Sequence, residues 1–290
     1  MILVTGAGGN VGSELIKRLL ASGAKVRGMY YTIAKRDLAP KGVEAVVGDY
    51  GSRVEVAKAM KGVEKVYLVC SPLPQLPSLE GHLIEEAVRM GVKHIVKQSA
   101  IGADSGGRHM FGTWHAQAEE KLIESDVPYT ILRPNTFMQN FLGFAGSIKT
   151  QGAIFGCSGD APVSYVDARD IASVAAHILS KGGHEGQGYE LTGPEAVNYD
   201  WVAALISKLI GKKVKYVDLP PAELKKFLLQ VGMQEWLADG VLDLQAFNKA
   251  GSAAEVSSAV EQVTGYKPIA FKQFASDYAS AFAHEAEAAR

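Results

Sequence analysis

The sequence predicts an α/β fold: a doubly wound parallel sheet with a smaller, mostly helical C-terminal subdomain. Three observations predict it. Residues 2–4 form an apolar run, followed by glycines at 6, 9 and 12, with Val11, Leu15, Ile16, Leu19 and Leu20 at helical spacing. Strand-like and helix-like segments then alternate as far as Pro134, the pattern of βαβ units. Beyond Pro134 the rhythm breaks and helical periodicity dominates.

The first strand is residues 2–4, and the second spans 24–31 after Gly23, a helix stop. The third, 43–47, ends in Gly48-Asp49. A helix over 54–60 closes at Gly62, and 63–69 is apolar enough to be a strand buried on both faces. Pro72, Pro74 and Pro77 mark a loop before a helix over 79–90, which Gly91 ends. Residues 92–96 are the fifth strand, 114–124 a helix and 127–132 the sixth strand, ending at Arg133-Pro134. Helices are then expected over 137–148, 170–179, 199–210, 222–231, 235–249, 253–263 and 271–282. Short strands are expected over 153–155, 163–166, 189–191 and 214–217. Asp167 and Asp170 open the helix over 170–179 as cap and dipole partner. The Ala/Glu-rich tail after Phe282 reads as a fraying helix end. No linker separates a dinucleotide-binding part, 1–135, from a substrate-binding part, 136–290.

Composition narrows the function. With 30 basic and 31 acidic residues the net charge is −1, which offers no electrostatic attraction to nucleic acid or an anionic membrane. Two cysteines among 290 residues, Cys70 and Cys157, exclude a disulfide framework and a cysteine-rich zinc site. They fit a reducing cytoplasm. No signal peptide precedes the first strand, and no apolar stretch approaches the roughly 20 residues needed to cross a bilayer. No Cys-x-x-Cys or His-x-x-x-His points to a metal. A small-molecule enzyme, monomer or homodimer, is expected.

The glycine loop says which small molecule. In a strand–turn–helix setting, Gly6 allows the sharp turn and Gly9 lets the backbone approach a pyrophosphate. Gly12 lets the helix pack close to the strand, and the free N–H groups at the helix start face the anion. This is the phosphate cradle of a Rossmann-type sheet. A cofactor selective for NAD usually meets an acid at the end of the second strand. Here that strand ends Met29-Tyr30-Tyr31-Thr32 and is followed by Lys35 and Arg36. Cations without a carboxylate suit a 2′-phosphate, so NADPH is expected ahead of NADH. Asp49 is placed to accept from the adenine amino group or to cap a turn, and Tyr50 to lean on the ring.

These residues resemble the short-chain dehydrogenase/reductase superfamily: Gly6-x-x-Gly9-x-x-Gly12, Gly48-Asp49, Leu132-Arg133-Pro134 and Val166-Asp167-Ala168-Arg169-Asp170-Ile171. The run from Tyr129 to Asn140 is similar, more narrowly, to the NmrA-like atypical branch. That branch holds azo-dye, quinone and triarylmethane-dye reductases together with NADP(H)-sensing regulators, and the layout resembles the azoreductase type. The resemblance implies that Gly6, Gly8, Gly9, Asn10, Val11 and Gly12 hold the pyrophosphate. Many relatives carry Arg at the position of Tyr31, where this chain departs; Lys35 matches a lysine of the family. Cys70, Ser71 and Pro72 would run beneath the riboses. Gln98 and Ser99 would lie near the nicotinamide, and Pro134 and Asn135 would contact its amide side.

The superfamily's Tyr-x-x-x-Lys pair is missing. Its stretch here is Phe111-Gly112-Thr113-Trp114-His115, with no hydroxyl at Phe111 and a histidine in place of the lysine. Carbonyl reduction then lacks its proton donor. Hydride transfer to quinones, azo dyes or cationic triarylmethanes does not need one, because these delocalise the arriving charge. His115 is the candidate catalytic residue, as a ribose ligand or as an imidazolium acid; alternatively it is a helix-surface histidine or only orients the cofactor. Trp114, Phe137 and Phe155 are candidate walls for a flat aromatic acceptor. The other reading is a non-catalytic NADP(H) sensor.

Overall fold

A computed structural model describes residues 1–103 and 106–283. The first half alternates as β1 (Ile2–Val4), α1 (Asn10–Ala21), β2 (Val26–Tyr30), α2 (Ile33–Asp37), β3 (Glu44–Val47) and α3 (Arg53–Met60). It continues with β4 (Lys65–Leu68), α4 (Leu76–Arg89), β5 (His94–Gln98), α5 (Met110–Ile123) and β6 (Tyr129–Pro134). A 3₁₀ segment (Met138–Phe144) then runs into α6 (Ala145–Gln151), β7 (Ala153–Gly156), α7 (Ala168–Lys181) and β8 (Gln187–Leu191). Last come α8 (Tyr199–Ile210), β9 (Lys215–Asp218), α9 (Pro221–Gln230), α10 (Glu235–Lys249), α11 (Ala259–Thr264), α12 (Phe271–Asp277) and α13 (Ala279–Phe282).

The main sheet has seven parallel strands in the order β3-β2-β1-β4-β5-β6-β8. The strand order reverses between β1 and β4, and ligands of such sheets bind at that crevice. The central strands are covered on both faces, so β1 is apolar throughout, while the edge strands β3 and β8 carry exposed polar residues. On β1, Ile2 and Val4 pack toward α1, α7 and α11, while Leu3 packs toward α3, α4 and α5. This is the period of two a strand imposes. A second core joins α6, β7, α8, α10, α12 and α13 around Phe141, whose ring contacts Tyr165 at 5.0 Å and Phe271 at 4.9 Å. β7 and β9 form a separate two-stranded parallel sheet beside it. No helix among the described residues is long and apolar enough to cross a membrane.

Several elements differ from expectation, two of them for a tertiary reason. The helix expected over 137–148 opens as a 3₁₀ segment because its first turn is tied sideways. Met138 N–H donates to Val166 O at 2.9 Å, and the Gln139 amide spans Asp167 Oδ1 and the Ala168 N–H. Residues 163–166 form no ladder, only single bridges from Val163 to Val197 and from Phe137 to Val166. The helix expected from 253 starts at Ala259. The Ala253 and Glu255 carbonyls are occupied by Ser164 and Asn135, which holds that stretch extended. The helix expected over 271–282 breaks at Tyr278. A helix not anticipated, α2, starts where Thr32 caps the Lys35 N–H. Asp167 caps α7 as expected, accepting from the Arg169 N–H at 2.8 Å. The tail from 284 onward lies outside the described residues.

Candidate functional site

A cleft of about 590 Å³ opens at the carboxyl ends of β1, β2 and β4 and reaches Gln98 and Phe137. Thr5 holds its floor together. Its hydroxyl donates to Val69 O at 3.0 Å and accepts from the Val69 N–H at 2.8 Å, joining the ends of β1 and β4. The glycine loop forms the wall. Gly6 has φ +58°, and a Cβ there would lie 2.7 Å from Val69 Cγ1. A Cβ on Gly12 would lie 2.3 Å from the Gly6 carbonyl oxygen. Only glycine allows both approaches. No side chain caps the start of α1, so its first N–H groups are left for an anion. A dinucleotide pyrophosphate fits this cradle on both counts.

The adenosine end lies over β2 and α2. Tyr31 and Lys35 line it, and a Cβ on Gly8 would lie 3.1 Å from Lys35 Cδ, so the lysine stem lies along the loop. Arg36 does not line the cleft: it pairs with Asp37 at 2.7 Å. Asp49 lines it and accepts from the Gly51 N–H at 2.8 Å. Tyr50 also lines it, and its hydroxyl accepts from the Gly6 N–H at 2.6 Å. Burial pushes the Tyr50 phenol up to about 12. Cys70, Ser71 and Pro72 form the opposite wall, with the Cys70 thiol also pushed up to about 12 by burial.

Other expected residues are held away from the cleft. Ser99 is buried and its hydroxyl donates to Glu119, which pairs with Arg133 at 2.5 Å. Pro134 sits in the sheet against Leu191. Asn135 is buried and its amide donates to Ser164 Oγ at 2.8 Å and Ala253 O at 2.9 Å. Of the three aromatic candidates, Phe137 lines the cleft. Phe155 packs on Phe227 at 5.0 Å, and Trp114 lies between Phe111 at 5.7 Å and Trp236 at 6.0 Å. Phe111 turns toward α10: a Cβ on Gly240 would lie 2.5 Å from its Cζ.

His115 is buried, and its Nδ1 accepts from Lys97 Nζ at 3.2 Å. Burial first, then the Lys97 and His109 charges, hold its pKa well below the usual histidine range. The Lys97 contact leaves the ring proton on Nε2, and burial beside that ammonium disfavours the imidazolium expected as an acid. Lys97 also donates to Glu80 Oε2 at 2.5 Å, and both side chains are fully buried. Glu80 Oε1 accepts from the Cys70 N–H at 3.1 Å, so this pair braces the cleft wall from behind. The Lys97–Glu80 pair escaped sequence reasoning. No local signal marks it, because β5 carries His94 and Gln98 as well as Lys97.

Residues 1–275 match the NmrA-like family. The NAD(P)H azoreductase of Xenophilus azovorans is 36% identical over 283 residues, 97% of this chain and 99% of that protein. The NADPH-dependent quinone oxidoreductase QOR2 of Escherichia coli, complexed with NADPH, superposes with a TM-score of 0.87 at 29% identity, covering 97% of this chain and 99% of that one. The triphenylmethane reductase of Citrobacter sp., complexed with NADP(H), gives a TM-score of 0.85 at 27% identity over 96% and 100% of the two chains.

Proposed function

We propose that this chain, which belongs to the NmrA-like family, is an NADPH-dependent reductase of aromatic electrophiles of the quinone, azo or triarylmethane type. It is an oxidoreductase, like the azoreductase it resembles over nearly its whole length. The observation that carries the acceptor class is a cofactor cleft that, among the described residues and away from the Tyr31–Lys35 end, has no ready acid. Tyr30, Tyr50 and Cys70 line it, and burial raises the pKa of each. Phe111 has no hydroxyl and faces α10, and His115 is buried with its charged form disfavoured. An acceptor that delocalises charge and draws its proton from water suits such a site; a simple ketone does not.

The residues divide the work by position. The N–H groups at the start of α1 and the glycine loop would hold the pyrophosphate, and Lys35 the 2′-phosphate. Tyr50 fixes the loop through the Gly6 N–H. Cys70, Leu73 and Phe137 would give a flat acceptor an apolar wall to pack against. Bound NADPH supplies the hydride. The protein contributes mainly orientation of two flat molecules face to face.

Steady-state NADPH oxidation followed at the reduced cofactor's absorbance, against a panel of quinones, azo dyes and triarylmethanes, tests this reading. Turnover of at least one class is expected, with none for simple aliphatic ketones. Tight NADPH binding with every acceptor inert would overturn it.

A further inference from the structure

We propose that Tyr67 is a positioning residue that locks the Gln98 amide so that its NH₂ group stands as a fixed donor in the cleft. It serves a carbonyl oxygen at the end away from Lys35. Tyr67 lies on β4 and is fully buried, and its hydroxyl donates to Gln98 Oε1. Gln98 ends β5 and lines the cleft with Phe137. The direction of the bond is set by chemistry. Burial, with the Glu80 charge nearby, keeps the phenol protonated. Among the described residues its hydroxyl hydrogen has no acceptor other than Gln98. The opposite amide orientation would leave that buried hydrogen unpaired, which is costly. With Oε1 engaged, the Gln98 Nε2 group has no partner among the described residues, nor is it sealed from solvent. Lys97, bonded to Glu80, also donates to the Gln98 backbone carbonyl at 3.3 Å, so the residue is held at both ends.

This deepens the reductase reading and rests on it for the direction in which the cofactor lies. The cleft runs from Lys35 past the glycine loop to Gln98. A dinucleotide with its phosphates on that loop and its 2′-phosphate at Lys35 places its nicotinamide toward Gln98. Two carbonyl-type oxygens come within the donor's range there: the carboxamide oxygen of the nicotinamide and a carbonyl oxygen of the acceptor. A neutral amide donor orients either without giving up a proton.

The test uses the full-length chain with Gln98→Met, Tyr67→Phe and the double variant, each checked by thermal melting. Calorimetry measures NADPH and 2′-phospho-ADP-ribose, which lacks the nicotinamide; kinetics at saturating NADPH gives the KM of a quinone. Loss of one donor to a carbonyl oxygen corresponds to roughly threefold to tenfold. If Gln98→Met weakens NADPH by that factor and spares 2′-phospho-ADP-ribose, the donor serves the nicotinamide. If both affinities hold and the quinone KM rises, it serves the acceptor. In either case Tyr67→Phe gives part of the effect alone and none in the Gln98→Met background, since it acts only through that amide. Equal loss for both nucleotides, no change anywhere, or a full Tyr67→Phe effect on top of Gln98→Met would overturn the inference. A wild-type chain inert to every acceptor sinks the reductase reading instead. The calorimetric arms then decide alone, and unchanged NADPH affinity in Gln98→Met refutes the lock.

Discussion

Replacing Lys35 with alanine separates the contribution of the 2′-phosphate from that of the pyrophosphate. Lys35 is exposed, lines the cleft and lies along the glycine loop. Tyr31 beside it carries no cation, and Arg36 is spent on Asp37 outside the cleft. Among the described residues, Lys35 is therefore the one cation lining the cleft. A single charge-assisted contact at a solvent-exposed site is worth about 1.4 kcal/mol, a factor of about ten. The Lys35→Ala variant should lose about tenfold in kcat/KM for NADPH and stay within about twofold for NADH. Preference between the cofactors should fall by the ratio. Because the contact is exposed, added salt should shrink the wild-type preference and leave the variant's unchanged. Parallel kinetics with both cofactors at two ionic strengths measures this. Equal losses for NADPH and NADH, or no loss at all, would refute a 2′-phosphate at Lys35.

Other outcomes follow from the same packing. Gly12→Ala puts a Cβ 2.3 Å from the Gly6 carbonyl, so calorimetry should show NADPH binding lost and denaturation a cost of roughly 1–3 kcal/mol. Lys97→Met strands a buried Glu80 carboxylate and should cost about 3–5 kcal/mol in urea unfolding, with much of it restored by adding Glu80→Leu. His115→Gln should leave the shape of the pH–rate profile between about pH 6 and 8 unchanged, because burial beside the Lys97 ammonium disfavours the charged imidazole. Asp170 is buried and its pKa is raised from 3.8 to about 6, chiefly by burial. The folded state thus holds that proton more tightly than the unfolded chain. Its stabilising effect is full below about pH 4 and is lost as the pH rises through 6. Asp170→Asn keeps an acceptor for the Ile269 N–H and should gain about 3 kcal/mol over wild type at pH 8, with no gain at pH 3.5. A gap that does not vary with pH would contradict this.

Much of the fold was readable because its signals are local. The glycine spacing at 6, 9 and 12, the apolar runs and the stops at Gly23, Gly62 and Gly91 act within a few residues of themselves. Some of the elements misjudged were decided across the chain. Residues 253–258 have helical periodicity but surrender their carbonyls to Ser164 and Asn135. At the site, the loop, Lys35, Tyr50, Cys70, Gln98 and Phe137 come together as expected. Trp114 and Phe155 do not, because an aromatic residue announces burial without naming its partner. Asn135 sits one residue past the end of β6, yet its amide turns inward to brace a distant segment. The Glu80–Lys97 pairing was invisible for the complementary reason: neither residue is unusual until the two meet.

The placement of β8 bears on how the protein is made. β8 is the seventh strand of the main sheet and pairs with β6, yet it is synthesised roughly 60 residues later. At a ribosomal rate of about 5–20 residues per second, β6 waits roughly 3–12 s for its neighbour. For that interval the nascent chain shows an open parallel edge, with α7 not yet present to cover the apolar face behind it. A ribosome-bound holdase has its opportunity there, and a fragment released at residue 135 keeps six of the seven strands with an unpaired β6 edge prone to aggregation.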